Sequence, residues 1–176
     1  MPFSIQKLEK YHAVAAFDCG DEALNVYLQR YALQNQERHS VGVTYAAVAQ
    51  ETQNAVIGYY TLAASSLPKS SLSAETARRL SPYADVPCLL LARLGVDKHF
   101  QKHGIGRRLL KDALKRCVLI RGEIGCRCLI LDAYPGAVIW YQQFGFIPLR
   151  SPDPKARTQK MLMDLRTLDE ESPHGL

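Results

Sequence analysis

Apolar positions along the 176-residue chain change period several times, and each change marks an element. Phe3, Ile5 and Leu8 alternate imperfectly and predict a short first strand. From Asp21 to Arg38 the period becomes helical. Leu24, Leu28, Tyr31 and Ala32 share one face, and Asp21 and Glu22 suit the positive end of a helix. Val43 to Ala49 predicts a strand, and the polar run 50–54 predicts a turn. Ala55 to Leu62, rich in aromatic and β-branched residues, predicts the hairpin partner.

Pro68, Pro82 and Pro87 then break the pattern and bracket a short helix over Ala74–Leu80, capped by Ser73. Cys88 to Val96 is nearly all apolar, as in a central strand covered on both faces. A glycine-containing loop leads into a second helix. Its buried stripe is Leu109, Leu110, Ala113, Leu114 and Cys117, with Arg108, Lys111, Asp112, Lys115 and Arg116 toward water. Gly122 and Gly125 read as stop signals. Cys126 to Ala133 predicts another strand, and Pro135 opens a short helix that runs to Phe144. Gly145–Leu149 and Lys160–Leu165 predict a closing pair of strands, and the polar residues from Asp169 to Leu176 predict a frayed end. The order is mixed α/β. Strand 88–96, helix and strand 126–133 form a βαβ unit, so those two strands are predicted parallel. One domain over residues 1–165, followed by a polar tail over 166–176, is the expected organisation.

Composition narrows the picture. A hydrophobic content of 47% suffices for a core at this length, and a net charge of +5 suits an anionic partner. Charge alone leaves open a cofactor, a nucleic acid or an acidic protein. The excess is regional, since residues 66–122 hold 12 of the 22 Lys and Arg but only 4 of the 17 Asp and Glu. The five cysteines are odd in number and lack the paired spacing of a zinc site, so no metal is expected. Four of them lie in apolar runs, where free Cys packs as a small hydrophobe. No signal-peptide pattern precedes Ile5, and no apolar run reaches the ~18 residues of a membrane span. The expectation is a cytoplasmic protein with reduced thiols and no membrane.

The sharpest chemical signal is Gln101-Lys102-His103-Gly104-Ile105-Gly106, between an apolar strand and a helix. Glycine lets the backbone turn and approach a ligand, and the first helix amides lack intrahelical acceptors. Together with the helix dipole they suit a diphosphate, and Arg107 and Arg108 add charge there. A P-loop would need Lys-Ser/Thr after Gly106, where Arg107-Arg108 stands. A dinucleotide fingerprint would need glycine at Leu109. Two glycines before a helix also suit an ordinary turn.

Gln101-x-x-Gly104-x-Gly106, after a strand ending Arg93-Leu94-Gly95-Val96, resembles the acetyl-CoA motif of GNAT acetyltransferases, Arg/Gln-x-x-Gly-x-Gly/Ala. The resemblance covers the element order from about Ser4 to Leu165. It implies a single-domain GNAT fold, a mixed central sheet with a parallel βαβ unit that binds acetyl-CoA. By that resemblance backbone groups of Leu94, Gly95 and Val96 hold the pantetheine arm. Gln101, Lys102, His103, Gly104, Ile105, Gly106 and Arg107 hold the pyrophosphate. Downstream, Ala137-Val138-Ile139-Trp140-Tyr141 and Gly145-Phe146 resemble the family helix Ala-x-x-Phe-Tyr-x-x-x-Gly-Phe, with Trp140 in place of Phe. Tyr141 matches the tyrosine that stands near the thioester sulfur.

A phenol has a reference pKa of about 10 and is a donor at pH 7, whereas a thiol like that of cysteine sits near 8.5. Full proton transfer from Tyr141 to the thiolate is uphill, so its expected role is a hydrogen bond to the departing sulfur. The acceptor must arrive as a neutral amine. An α-amine of pKa ~8 meets that condition far more often than a lysine at ~10.4. Strand 88–96 contains no carboxylate base. Asp132, Asp97, Glu123 or water remain for that role.

Phe17-Asp18-Cys19-Gly20, Leu24-Asn25-Val26-Tyr27-Leu28, Gly58-Tyr59-Tyr60-Thr61-Leu62 and Pro87 to Val96 resemble one branch of the superfamily. That branch is the acetyltransferase toxins of bacterial toxin–antitoxin pairs, of the TacT type. The resemblance implies transfer of acetyl to the α-amino group of aminoacyl-tRNA, which blocks translation. It also implies neutralisation by a ribbon-helix-helix antitoxin, and a homodimer. Arg93, Arg78, Arg79 and Lys69 are the candidates for tRNA phosphates, with solvated or paired charges as the alternative. The rival functions are transfer to a small-molecule or peptide amine, and a binding module that keeps the fold without catalysis.

Overall fold

The computed structural model describes residues 2–49, 54–78, 85–149 and 155–170. The chain divides into two compact units, residues 1–63 with 91–116 and residues 64–90 with 117–176. Each is described by itself.

The first unit begins with strand β1 (Phe3–Lys7), which pairs antiparallel with β2 (Val43–Ala49) from Phe3↔Ala49 to Lys7↔Tyr45. β3 (Val56–Pro68) pairs antiparallel with β2, with an irregularity between Ala47 and Val48, and runs six residues past the expected end at Leu62. Between β1 and β2 the predicted helix forms as four consecutive pieces. They are α1 (Glu22–Val26), a π-helical turn Tyr27–Tyr31, α2 (Ala32–Gln34) and a second π-helical turn Asn35–His39. Asp21 caps the start, its carboxylate accepting the Ala23 and Leu24 N–H groups at 2.9 and 3.2 Å. Of the predicted apolar face, Leu28 and Ala32 pack with Leu8, Phe17, Ala46, Val48, Val56 and Tyr59 into one cluster, whereas Leu24 is half-buried and Tyr31 is exposed, its place on the face shifted by the π-helical turn Tyr27–Tyr31.

β4 (Asp85–Val96) has residues in both units and starts three residues before the predicted strand. Its burial is uneven. Cys88, Leu89 and Leu91 are buried, but Ala92, Leu94 and Val96 are half-buried and Arg93 is exposed. The expectation of a strand covered on both faces therefore fails beyond Leu91. α4 (Ile105–Ile124) also has residues in both units. Its predicted stripe, Leu109, Leu110, Ala113, Leu114 and Cys117, is buried at every position. Gly122 lies inside this helix rather than ending it. Gly125, at φ +67, makes the stop, its N–H donating to Arg121 O at 3.1 Å.

In the second unit β4 is followed across the sheet by β5 (Cys128–Ala133), β7 (Gln159–Asp164) and β6 (Ile147–Pro148). β5 starts two residues later than expected and pairs parallel with β4 from Cys88↔Cys128 to Leu90↔Ile130. β7 is antiparallel to β5 and to the two-residue β6, so the sheet is mixed. α3 is Ala74–Arg78 and α5 is Val138–Gln142. α6 (Thr167–Glu170) forms the start of the expected polar tail, the Thr167 hydroxyl donating to Asp164 O at 2.8 Å, and residues 171–176 lie outside the described residues. Cys88, Cys117, Cys126 and Cys128 are buried and Cys19 is half-buried. No helix among the described residues is long and apolar enough to cross a membrane.

Candidate active site

The loop between β4 and α4 is built by side chains that hold backbone. Asp97 caps the 3₁₀ turn Lys98–Phe100, and its carboxylate accepts the His99 N–H at 2.9 Å and the Asp18 N–H at 3.0 Å. Burial works to raise the Asp97 pKa, but these two donors and the His99 ring outweigh it and hold the carboxyl below its ordinary value. Gln101 donates through Nε2 to Val96 O and to Cys19 O, both at 3.0 Å. The chain then turns through two left-handed residues, Lys102 at φ +65 and Gly104 at φ +79. For Lys102 that conformation costs roughly 1–2 kcal/mol, and for Gly104 almost nothing.

The first helical bond of α4 is Arg108 N–H to Gly104 O at 3.1 Å, so the Ile105 and Gly106 amides have no acceptor within the helix. Ile105 is buried and seats the helix start, while Gln101, Lys102, His103 and Gly104 are exposed. Amides without a helical acceptor at the positive end of a 20-residue helix, beside the exposed Lys102, have the chemistry that suits a diphosphate. Arg108 is engaged elsewhere, its guanidinium carbon 3.7 Å from the centre of the Phe3 ring.

Glycines set how closely the elements behind this loop approach. A Cβ at Gly58 would stand 3.0 Å from Leu109 Cδ1, 3.2 Å from Gly95 O and 3.3 Å from Ile105 Cγ2. A methyl group there would force Leu109, Ile105 or the Gly95 carbonyl to give by a few tenths of an ångström. Gly95 is flanked by Tyr59 Cε1 at 3.2 Å from where its Cβ would be, and the Tyr59 hydroxyl donates to Leu24 O at 2.8 Å. Arg93 lies exposed, 5.0 Å from the Tyr27 ring centre and donating to Ala92 O at 2.7 Å. Its predicted alternative, a paired structural arginine, takes the form of a cation over an aromatic face.

Tyr141 belongs to the second unit. Pro135 opens a 3₁₀ turn, Pro135–Ala137, that leads into α5. The Tyr141 carbonyl accepts the Phe144 and Phe146 N–H groups at 3.0 and 3.4 Å, and Gly145 at φ +91 reverses the chain. The ring meets Trp140 and Phe146 edge-on, with centroids 4.8 and 5.6 Å away. Burial pushes the phenol pKa up to about 12, so the hydroxyl is a proton donor at neutral pH.

The expected bases differ in fate. Asp132 is exposed and pairs with Lys160 Nζ at 2.9 Å, Asp97 is spent on backbone amides, and Glu123 is exposed on the last turn of α4. Of the four cations proposed for phosphates, Arg93 lies in the first unit. Exposed Arg78, ending α3, and half-buried Lys69 lie in the second. Arg79 lies outside the described residues. No cluster of metal-ligating side chains occurs among the described residues.

Sequence reasoning missed Asp18, Asn25 and Lys98. Lys98 Nζ meets Asp18 Oδ2 at 2.6 Å, and Asn25 donates to Asp18 Oδ1 at 2.9 Å while accepting the Cys19 N–H at 2.9 Å. Asn25 on an otherwise apolar helix face was the available signal, since a buried amide needs partners.

Residues 42–148 match the acetyltransferase (GNAT) domain family. The chain is 32% identical over 156 residues to a tRNA-acetylating toxin of Mycobacterium tuberculosis (strain ATCC 25618 / H37Rv), covering 88% of this chain and 89% of that protein. Among solved structures it is similar to AtaT complexed with acetyl-methionyl-tRNAfMet, with a TM-score of 0.86 and 24% identity over 96% of this chain and 98% of the other, a likeness of fold. It is also similar to AtaTR bound with AcCoA, with a TM-score of 0.80 and 25% identity over 96% of each chain. The chain therefore belongs to the GNAT family of acetyltransferases.

Proposed function

We propose that this chain is a toxin that transfers the acetyl group of acetyl-CoA to the α-amino group of an aminoacyl-tRNA and so inhibits translation. The observation that carries this reading is the 32% identity, across 88% of the chain, with a protein described as a tRNA-acetylating toxin. The similarity to a structure bound with AcCoA supports acetyl-CoA as cosubstrate.

Acetyl-CoA supplies the activated thioester, and this chain's residues bind and orient it. Backbone amides from Gln101 to Arg107, with Gly104 and Gly106 leaving the approach open, receive the pyrophosphate. Backbone groups of Leu94, Gly95 and Val96 on the half-open end of β4 receive the pantetheine arm, and a donor near Val96 polarises the carbonyl. Tyr141 keeps its proton and donates a hydrogen bond to the departing sulfur. Such assistance is typically worth ~10²–10⁴ in rate. An α-amine of pKa ~8 is neutral at pH 7 far more often than a lysine at ~10.4, so water suffices as base while Asp132 remains paired with Lys160.

Arg93, Arg78, Arg79 and Lys69 are the proposed contacts to tRNA phosphates. A ribbon-helix-helix antitoxin, a homodimer and a cytoplasmic site of action complete the proposal. The test is transfer of radiolabelled acetyl from acetyl-CoA into a pool of charged tRNAs, followed by identification of the modified amino acid. Label in one or a few aminoacyl-tRNAs is expected. Label in small amines or peptides, with none in charged tRNA, would replace this reading by the small-amine alternative.

A further inference from the structure

Four hydrogen bonds join two segments that lie about eighty residues apart in the chain. Asp18 N–H donates to Asp97 Oδ2 at 3.0 Å, and Lys98 N–H donates to Asp18 O at 2.8 Å. Lys98 Nζ reaches Asp18 Oδ2 at 2.6 Å, and Gln101 Nε2 reaches Cys19 O at 3.0 Å. The second hydrogen of that same Gln101 amide goes to Val96 O, the last carbonyl of β4. Each segment is also anchored a second time, the first by its own residues and the second by β3. Asp18 Oδ1 accepts the Gly20 N–H and the Asn25 side chain, both at 2.9 Å, and Asp97 N–H donates to Ile57 O at 3.0 Å.

From this geometry we infer that Gln101 and Asp18 are positioning residues. They clamp the segment that enters α1 onto the segment that carries the cofactor amides, so that the loop stands ready before acetyl-CoA arrives. The chemistry explains the choice of side chains. A glutamine amide offers two donors to two carbonyls and cannot also bind a phosphate. Asp18 offers acceptors on one side and neutralises Lys98 on the other. Neither side chain is needed at the reacting atoms. Their effect falls on the entropy of ordering the exposed turn from Lys102 to Gly104, a cost that a loose loop would meet at the moment of binding. The inference rests on acetyl-CoA binding at this loop.

Gln101→Glu keeps the shape and turns both donors into a carboxylate facing two carbonyls. Gln101→Met keeps the length, removes both donors and adds no charge. Asp18→Asn loses the ion pair. Coenzyme A binding by calorimetry and steady-state acetyl transfer to charged tRNA are measured for each, with circular dichroism to establish folding. The expected result is a dissociation constant and a KM for acetyl-CoA raised at least tenfold in Gln101→Glu and about fivefold in Gln101→Met and Asp18→Asn. In all three kcat at saturating acetyl-CoA stays within twofold. Gln101→Arg, which restores donors, is expected to recover most of the affinity. Folded variants that bind coenzyme A as the unaltered chain does, or that lose kcat with KM unchanged, would overturn the clamp. Should Gln101→Glu fail to fold, Gln101→Met decides. An unaltered chain that fails to bind coenzyme A would remove the functional reading itself, and the clamp with it.

Discussion

The loop from Gln101 to Gly106 and the helix that carries Tyr141 are held by opposite means. The loop is exposed from Gln101 to Gly104 and shaped by the Asp97 carboxylate, which accepts from backbone N–H groups, and the Gln101 amide, which donates to backbone carbonyls. Tyr141 is held by apolar contact, edge-on between Trp140 and Phe146, and by burial that raises its pKa. The difference matches the work proposed for each. A diphosphate is recognised by amides that water can also reach, so the backbone must be fixed while staying open. A phenol that donates to sulfur must stay protonated, and burial achieves that without a charged neighbour.

The largest test of this contrast is Tyr141→Phe. It keeps the aromatic contacts and removes the donor, so kcat for acetyl transfer should fall ~10²-fold or more while KM for acetyl-CoA changes less than twofold. The pH profile sharpens the same point. With the phenol pKa near 12, activity should rise with pH as the amine loses its proton, with no descending limb from Tyr141 below about pH 11.

Gly58→Ala attacks the support beneath the loop. Its Cβ would meet Leu109, Ile105 and the Gly95 carbonyl at 3.0–3.3 Å, and overpacking of this kind costs about 1–3 kcal/mol in urea denaturation. Gly104→Val attacks the loop itself. Open space surrounds Gly104, so the penalty is conformational, from φ +79. KM for acetyl-CoA should rise about tenfold, and Gly104→Asn, better tolerated in left-handed backbone, should cost less.

The smallest expected effect is remote from both regions. His12 is buried, its Nδ1 accepts the Glu9 N–H at 2.9 Å, and burial lowers its pKa, outweighing the neighbouring Glu9. The unfolded chain therefore takes up a proton near pH 6.5 that the folded chain resists. Stability is then present above that pH and lost as pH falls below it. Tm should drop by a few degrees between pH 7 and pH 5.5, and His12→Gln should flatten that dependence.

Periodicity made much of the fold legible. The α4 stripe from Leu109 to Cys117 and the parallel pairing of β4 with β5 follow directly from apolar spacing and element order. The π-helical turns at Tyr27 and Asn35 were not legible, because one extra residue per turn shifts a face without changing composition. Arg93 showed that an apolar strand can open on one side, since burial depends on what covers it. The glycines of the loop and Tyr141 could be named from their motifs. The clamp could not, because the motifs that contain Gln101 and Asp18 say nothing of their pairing, which exists only once folding brings segments eighty positions apart into contact. The predicted turn over 50–54 lies almost wholly outside the described residues.

The division of labour between the two regions is tested most directly by the dissociation constant for coenzyme A, measured by calorimetry on Tyr141→Phe and Gly104→Val side by side. The account predicts an unchanged constant for Tyr141→Phe and one raised about tenfold for Gly104→Val. Equal weakening in both, or a loss confined to Tyr141→Phe, would contradict it.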